Sequence, residues 1–449
     1  MPAAQVRGDA IEKAKRGFAF SFLSNIGMLV LGMGNGMLTA HILGVEGRGQ
    51  LAAIQNPVIF MSYVVLMGIP TAVAYYAARS PQEARSVFTT GWLLTTAVAL
   101  PLLALTWLGL PLAMKGDAAQ FVPAARAFLP FALIQVVSLV GVSTLQGTGR
   151  FGSYGLIRLL PAPLSMAATL IAFGLGRPHP SLITKLVMLF SLVIAGAAAL
   201  GVARTSTGPW SFQRERVRPL LAYGLPTALL VPVGSLNLQL DQLVMASMVT
   251  NAALGLYAVS ASWSSLSSPA LLALATVILP NLASTDDPAT QKAFAVRSFR
   301  LAVLLGLILL LGHLAATPII LPLLYGRSFR PAVPTAMVLA CAGIPLSLGQ
   351  VTGDILRGLG RPRGPLIAQL AGLPITAGLL YVTLPRFGIM GGAVTSLVAY
   401  TTCLAISLVF IAKALEIPAS QLIPGPADVR DLVSQVKPLL RRLPGLRRL

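Results

Sequence analysis

Between Pro219 and Leu256 the chain reads PLLAYGLPTALLVPVGSLNLQLDQLVMASMVTNAALGL, long and apolar enough to cross a bilayer, yet Asn237 and Asp241 stand one helical turn apart on one face. A carboxylate at mid-membrane depth costs about 2.5 to 3.5 kcal/mol on insertion scales and by default marks an ion or substrate path. The pair can coordinate a proton or Na+ or meet substrate hydroxyls. The competing reading is a carboxylate that pairs with a cation, or hydrogen-bonds across a helix interface, and moves nothing.

A second set lies on one face of a later apolar run. Ser347, Gln350, Asp354, Arg357 and Arg361 step by three and four residues, so the lower end of this stripe can hold an anionic head group. Asp354 and Arg357 can equally form a local i,i+3 ion pair. Arg158, one turn into its run, can face an aqueous cavity and attract a diphosphate, or snorkel to the membrane surface. Asn25, Gly32, Asn35 and Gly36 share about one face, as do Tyr257, Ser260, Ser264 and Ser267; most such small or hydroxylated stripes are packing surfaces. His313 stands alone and reads as a core residue or a proton relay. No zinc-ligand spacing, Walker A sequence or nucleophile elbow occurs, so no metal, cofactor or catalytic residue is assigned and no enzymatic activity is expected.

These residues need apolar helices to position them. Of 449 residues 55% are hydrophobic and 10% charged, with a mean hydropathy of +0.80. This predicts an all-α polytopic membrane protein and excludes a soluble class. About twelve spans are read at 18–40, 51–78, 87–113, 127–146, 155–175, 186–203, 220–248, 254–282, 299–325, 335–355, 364–384 and 389–412. Lys and Arg divide 25 to 8 between alternate sides, which places both termini in the cytoplasm. The same asymmetry accounts for the net charge of +20 without nucleic acid. Cys341 and Cys403 fall inside spans, where they are small apolar residues. The first run is too long for a signal-peptide core and is expected to remain as a helix. No loop before the tail exceeds about 16 residues, leaving no room for a soluble catalytic domain. The basic tail, 413–449, ends in VRDLVSQVKPLLRRLPGLRRL, either a helix lying on anionic lipid or a disordered segment.

The chain also repeats. QGTGRFGSYGLIRL from Gln146 lies over RGLGRPRGPLIAQL from Arg357 at an offset of 211, as LITKLV from Leu182 lies over AVTSLV from Ala393. Near the start of each half the offset is 206: GQLA from Gly49 lies over GLYA from Gly255, and Asn35 over Asp241. Four matches in one order predict two pseudo-symmetric six-helix lobes, 1–219 and 220–412, joined by the basic loop Arg204 to Pro219.

The run from Leu220 to Ser262, the sequence ILGVEGRGQLAAIQ (Ile42 to Gln55) and LRGLGRPRGP (Leu356 to Pro365) together resemble the polysaccharide flippase branch of the multidrug/oligosaccharidyl-lipid/polysaccharide exporter superfamily. The resemblance implies a V-shaped pair of lobes that carries undecaprenyl-diphosphate-linked oligosaccharide between leaflets, coupled to H+ or Na+. It also implies membrane lipids, a polysaccharide polymerase and glycosyltransferases as partners. Its cavity residues map to Asn25, Asn35, Gln55, Asn56, Asn237, Asp241, Ser260 and Ser264. Spans 1, 2, 7 and 8 hold no cation well inside them, so Arg158, Arg48 or Arg357 must supply positive charge. A small-molecule antiporter of the same fold and a non-transporting scaffold are the other readings. On the flippase reading Asp241→Ala abolishes transport and Asp354→Ala is milder; equal tolerance of both in a transport assay would remove Asp241 from the coupling path.

Overall fold

The computed structural model describes the backbone of residues 2–430 except 177, 229, 269, 272–277, 279–281, 283–286, 360 and 362, and side chains from 27 onward except in those stretches and at 29, 225–238 and 267. Among the described residues the elements are helical, with no strand. They are α1 (Pro2–Val65), α2 (Ile69–Arg79), α3 (Ala84–Ala113), α4 (Val122–Phe128), α5 (Pro130–Gly147), α6 (Phe151–Leu159), α7 (Pro161–Gly174), α8 (Pro180–Thr205), α9 (Arg214–Ala228), α10 (Leu230–Met248), α11 (Asn251–Ser264), α12 (Pro288–Tyr325), α13 (Val333–Gly358) and α14 (Arg363–Leu415). Seven described helices are long and apolar enough to cross a membrane, eight counting one bent pair. Leu105, Leu108, Leu112, Leu311 and Leu323 stand exposed on them, as a lipid-facing surface requires.

Several spans differ from their outlines in the sequence for local reasons. Residues 41–50, expected as a loop, are helical on both sides of Gly44, whose φ of 67° takes the change of direction in one residue. The last two spans are likewise one assignment, α14, broken at Gly388 (φ 53°). Span 2 breaks at Met67 and Gly68, both with positive φ, so α2 leaves α1 at 44°. Pro70 lies in the first turn of α2, where its missing N–H costs nothing. Span 5 runs as α6 and α7, which meet at Leu160 with helical φ and ψ; Pro161 lacks the N–H that would continue the ladder, and Arg158 lies in the last turn of α6. The tail segment 431–449 lies outside the described residues.

The chain forms two compact units. One comprises Met1–Ser262, Leu321–Ala332 and Leu380–Gly392, the other Trp263–Ile320, Val333–Leu379 and Ala393–Leu449. Within the first unit α10 and the start of α11 pack on α1. The second unit is built around Leu271, Phe299, Ile344, Val351, Ile355 and Ile411. There the Asp287 carboxylate accepts from the Thr290 N–H (3.0 Å) and hydroxyl, capping α12 and holding its own pKa below the ordinary carboxylate value.

In the first unit the basic loop after α8 is strapped down. Ser86 donates to the Pro209 carbonyl (2.8 Å), the Gln213 N–H donates to Thr90 (3.0 Å), and Arg216 pairs with Glu83. Arg85 donates to the Ala203 carbonyl and lies 5.6 Å from the Trp210 ring centroid. The entry to α9 is therefore fixed on Glu83 and the first turns of α3.

The tightest crossing joins the two repeats. A Cβ on Gly49 would collide with the Asn251 carbonyl, and one on Gly255 with the Val45 carbonyl. Gly49 and Gly255 share the 206-residue offset, as do Val45 and Asn251. The contact is thus isologous: each repeat offers its mate the same patch, as at a two-fold interface. Only glycine lets two helix backbones meet at this separation. Around the crossing, Ser260 donates to the Ala332 carbonyl (3.1 Å), a Cβ on Gly392 would overlap Met245, and Gly36 lies beside the Tyr325 hydroxyl. The turns at 41–50, 249–253, 326–332 and 385–388, on segments that the charge count assigns to one side, therefore share one end of this unit. Gly49→Ala and Gly255→Ala are each expected to destabilise the protein by about 1–3 kcal/mol, read as a lower melting temperature in detergent. Gly196→Ala, where nothing lies within 4 Å of the new methyl, is expected to change little; equal behaviour of all three would contradict the crossing.

Candidate functional site

A cavity of about 390 Å³ opens inside the first unit, walled by α1, α5, α6, α7 and α8. Asn35, Gln55, Gln135, Arg158, Ser165 and Ser191 supply its polar surface, and Phe131 and Phe190 are among its apolar residues. Arg158 is the charged side chain among the described lining residues, and no carboxylate joins it.

Arg158 reaches the cavity from the last turn of α6. One turn before it, Tyr154 accepts from Nη1 (2.6 Å) and places its ring 5.6 Å from the guanidinium. Tyr154 is buried while Arg158 is exposed, so the phenol anchors a cation that faces open space. Asn35 is fixed from both sides: its amide donates to Ser165 (2.9 Å) and its carbonyl accepts from Thr169 (3.3 Å). Gln55 donates to Thr184 (3.4 Å), whose hydroxyl donates to the Pro180 carbonyl (2.9 Å). Among the described residues Arg158 meets no acid, and the fixed amides beside it suit an anion that also carries hydroxyl groups.

Of the residues singled out in the sequence, Asn35, Gln55 and Arg158 come together here. Asp241 does not join them. It is 4% exposed, takes the Tyr257 hydroxyl on one oxygen and the Gln242 N–H (2.7 Å) on the other. Asn56 donates to Gln242 (2.9 Å), tying α1 to α10 beside the carboxylate. Ser260 spends its hydroxyl on the Leu256 and Ala332 carbonyls, and Ser264 closes α11. The side chains of Asn25 and Asn237 lie outside the described residues. In the second unit Asp354 pairs with Arg357, the local arrangement open to an i,i+3 pair, and the Gln350 Oε1 is buried without a hydrogen bond. There too Trp263 donates to Thr317 (2.9 Å) and sets its ring edge-on to buried His313 at 5.3 Å.

Gln135, Ser165, Thr169 and Thr184 were passed over in the sequence. Each is a polar residue within or beside an apolar run, the signal that drew attention to Asn237 and Asp241.

The family model described as polysaccharide biosynthesis protein matches residues 38–334, more than half of the chain. No curated protein sequence matches. Among solved structures the chain is similar to an inward-facing multidrug resistance MATE family transporter of the MOP superfamily, with a TM-score of 0.70, 16% identity, and 88% of this chain and 94% of that one covered. It is similar to the lipid II flippase MurJ in an inward closed conformation, with a TM-score of 0.71, 14% identity, and 95% and 93% covered. It is also similar to a MOP superfamily transporter from Pyrococcus furiosus Vc1 whose binding pocket is described as of reverse polarity, with a TM-score of 0.62, 18% identity, and 90% and 97% covered. Identities this low show a shared fold, an all-α polytopic membrane architecture.

The cage around Asp241 is testable apart from any transport. Tyr257→Phe removes a donor from a buried carboxylate and is expected to cost about 1–3 kcal/mol, read as a lower melting temperature in detergent. Adding Asp241→Asn is expected to recover part of the loss; no recovery would mean that the tyrosine acts through packing.

Proposed function

This chain belongs to the polysaccharide biosynthesis protein family, and on that premise we propose that it is a flippase for undecaprenyl-diphosphate-linked oligosaccharide. It works in the bacterial inner membrane with both termini in the cytoplasm, takes substrate made by glycosyltransferases and delivers it for polymerisation at the surface. One observation carries the reading: the cavity presents Arg158 amid fixed amides and hydroxyls, without a carboxylate. A diphosphate needs a cation, and sugar hydroxyls need amides that donate and accept. Phe131 and Phe190 add apolar faces on which a sugar ring can rest. The volume is that of a site for a head group and one sugar, leaving the polyprenyl chain in lipid.

The cation-coupled small-molecule antiporter is the weaker reading, because a cationic substrate would meet Arg158 rather than an acid. Asp241 is the candidate for H+ or Na+ coupling, since protonation would change its bond with Tyr257. Gln350, Asp354 and Arg357 belong to the proposed path as its second-unit polar stripe.

Cells lacking the protein are expected to accumulate lipid-linked oligosaccharide on the cytoplasmic leaflet and to lose surface glycan. Wild type and Arg158→Lys restore the glycan, Arg158→Lys in part, while Arg158→Gln lowers it at least about tenfold. Unchanged glycan in the deletion strain would overturn the flippase reading; full rescue by Arg158→Gln would remove Arg158 from the site.

A further inference from the structure

Asn35, Gln55 and Gln135 line the cavity with amides that differ in what they have left to give. Asn35 has both ends of its amide engaged, by Ser165 and Thr169, and the Gln55 nitrogen donates to Thr184. Gln135 makes no hydrogen bond among the described residues, yet it lines the cavity half-buried in an otherwise apolar stretch of α5. Phe131 precedes it by one helical turn and lines the same wall. The Phe131 ring stacks on that of buried Phe128, with 4.6 Å between centroids, so the plane it shows the cavity is fixed.

Arg158 and Gln135 stand at different depths. The short turn at 148–150 joins the end of α5 to the start of α6, so both helices are measured from it. At a rise of about 1.5 Å per residue, Arg158 lies about 10 Å from the turn, Gln135 about 18 Å and Phe131 about 24 Å. The cavity therefore has a cationic end and, further along, an end made of one unspent amide and one phenyl ring. Among the described lining residues no charged side chain lies at that second end. A carboxamide offers a donor and an acceptor to a neutral polar group, and a phenyl ring suits the apolar face of a sugar. A carboxylate placed there would be desolvated with no cation to meet it, which is the costly case.

We propose that Gln135 is the specificity-determining residue of the cavity: the sugar next to the diphosphate lies over Phe131, hydrogen-bonds Gln135, and is a neutral hexose and not a uronic acid. This rests on the flippase reading above, in which the diphosphate takes Arg158, and adds to it which sugars pass. It also orients the substrate. The diphosphate lies toward the turn at 148–150, on the side that the charge count makes cytoplasmic, and the sugar lies toward the other end of α5.

The test uses the full chain in phosphatidylcholine nanodiscs with three short polyprenyl diphosphates, one bare, one carrying a neutral hexose and one carrying a hexuronic acid. A merely destabilising change weakens all three alike, so the ratio of affinities is the readout. Wild type is expected to bind the hexose form at least about tenfold more tightly than the hexuronate form, and Gln135→Leu to cut that preference to within about threefold. Gln135→Glu is expected to widen it, because a carboxylate still accepts from hydroxyls and repels a second carboxylate. Equal affinity of wild type for the hexose and hexuronate forms, or a preference that neither variant moves in its stated direction, would overturn the assignment and leave the flippase reading in place. Failure of wild type to bind even the bare polyprenyl diphosphate would overturn the flippase reading and this assignment with it.

Discussion

The backbone contact between Gly49 and Gly255 sets the geometry of everything near it. Two helices held at that separation cannot carry side chains at the crossing, so the residues on either side take fixed directions. Val45 and Asn251 present carbonyls to the opposing glycine, and Ser260 reaches the Ala332 carbonyl. Because the partners are repeat mates, the internal duplication is a physical contact as well as a sequence pattern. Each half of the chain closes on the same patch of the other.

Away from the crossing, the governing constraint is that polar groups inside a bilayer must be satisfied by protein. Most are. Asn35 is held by Ser165 and Thr169, Gln55 by Thr184, and Asp241 by Tyr257 and the Gln242 N–H. Against that background the groups that remain open are informative. Among the described residues Arg158 meets a tyrosine but no acid, and the Arg48 Nε and the Gln350 Oε1 are buried without a hydrogen bond. On the proposed function, the cation in the cavity and the fixed amides beside it suit an anionic, hydroxylated molecule.

Much of this was legible in the sequence. Apolar run lengths outline the spans, and the glycine match at offset 206 marks the pair that proves to touch. Turns were harder. Gly44 and Gly388 redirect helices in single residues, so loops expected from composition shrink to points. The direction of Arg158 was open because helical period places it at a helix end without choosing cavity or surface; in the fold it lines the cavity, held by Tyr154. Tyr257 could be seen on its stripe, but its bond to Asp241 is tertiary and no spacing rule reports it. Asn25, Asn237 and the tail, all read from sequence, gain no side-chain detail from the structure.

Transport by the purified chain addresses the central claim most directly. Reconstituted into proteoliposomes with lipid-linked oligosaccharide in the outer leaflet, the protein should move it to the inner leaflet, read as protection from a glycosidase added outside. Protection that rises with protein content and is blocked by excess polyprenyl diphosphate is the expected result. Lipid-linked oligosaccharide that stays fully accessible, while a soluble organic cation crosses the same vesicles, would contradict the account and install the antiporter in its place.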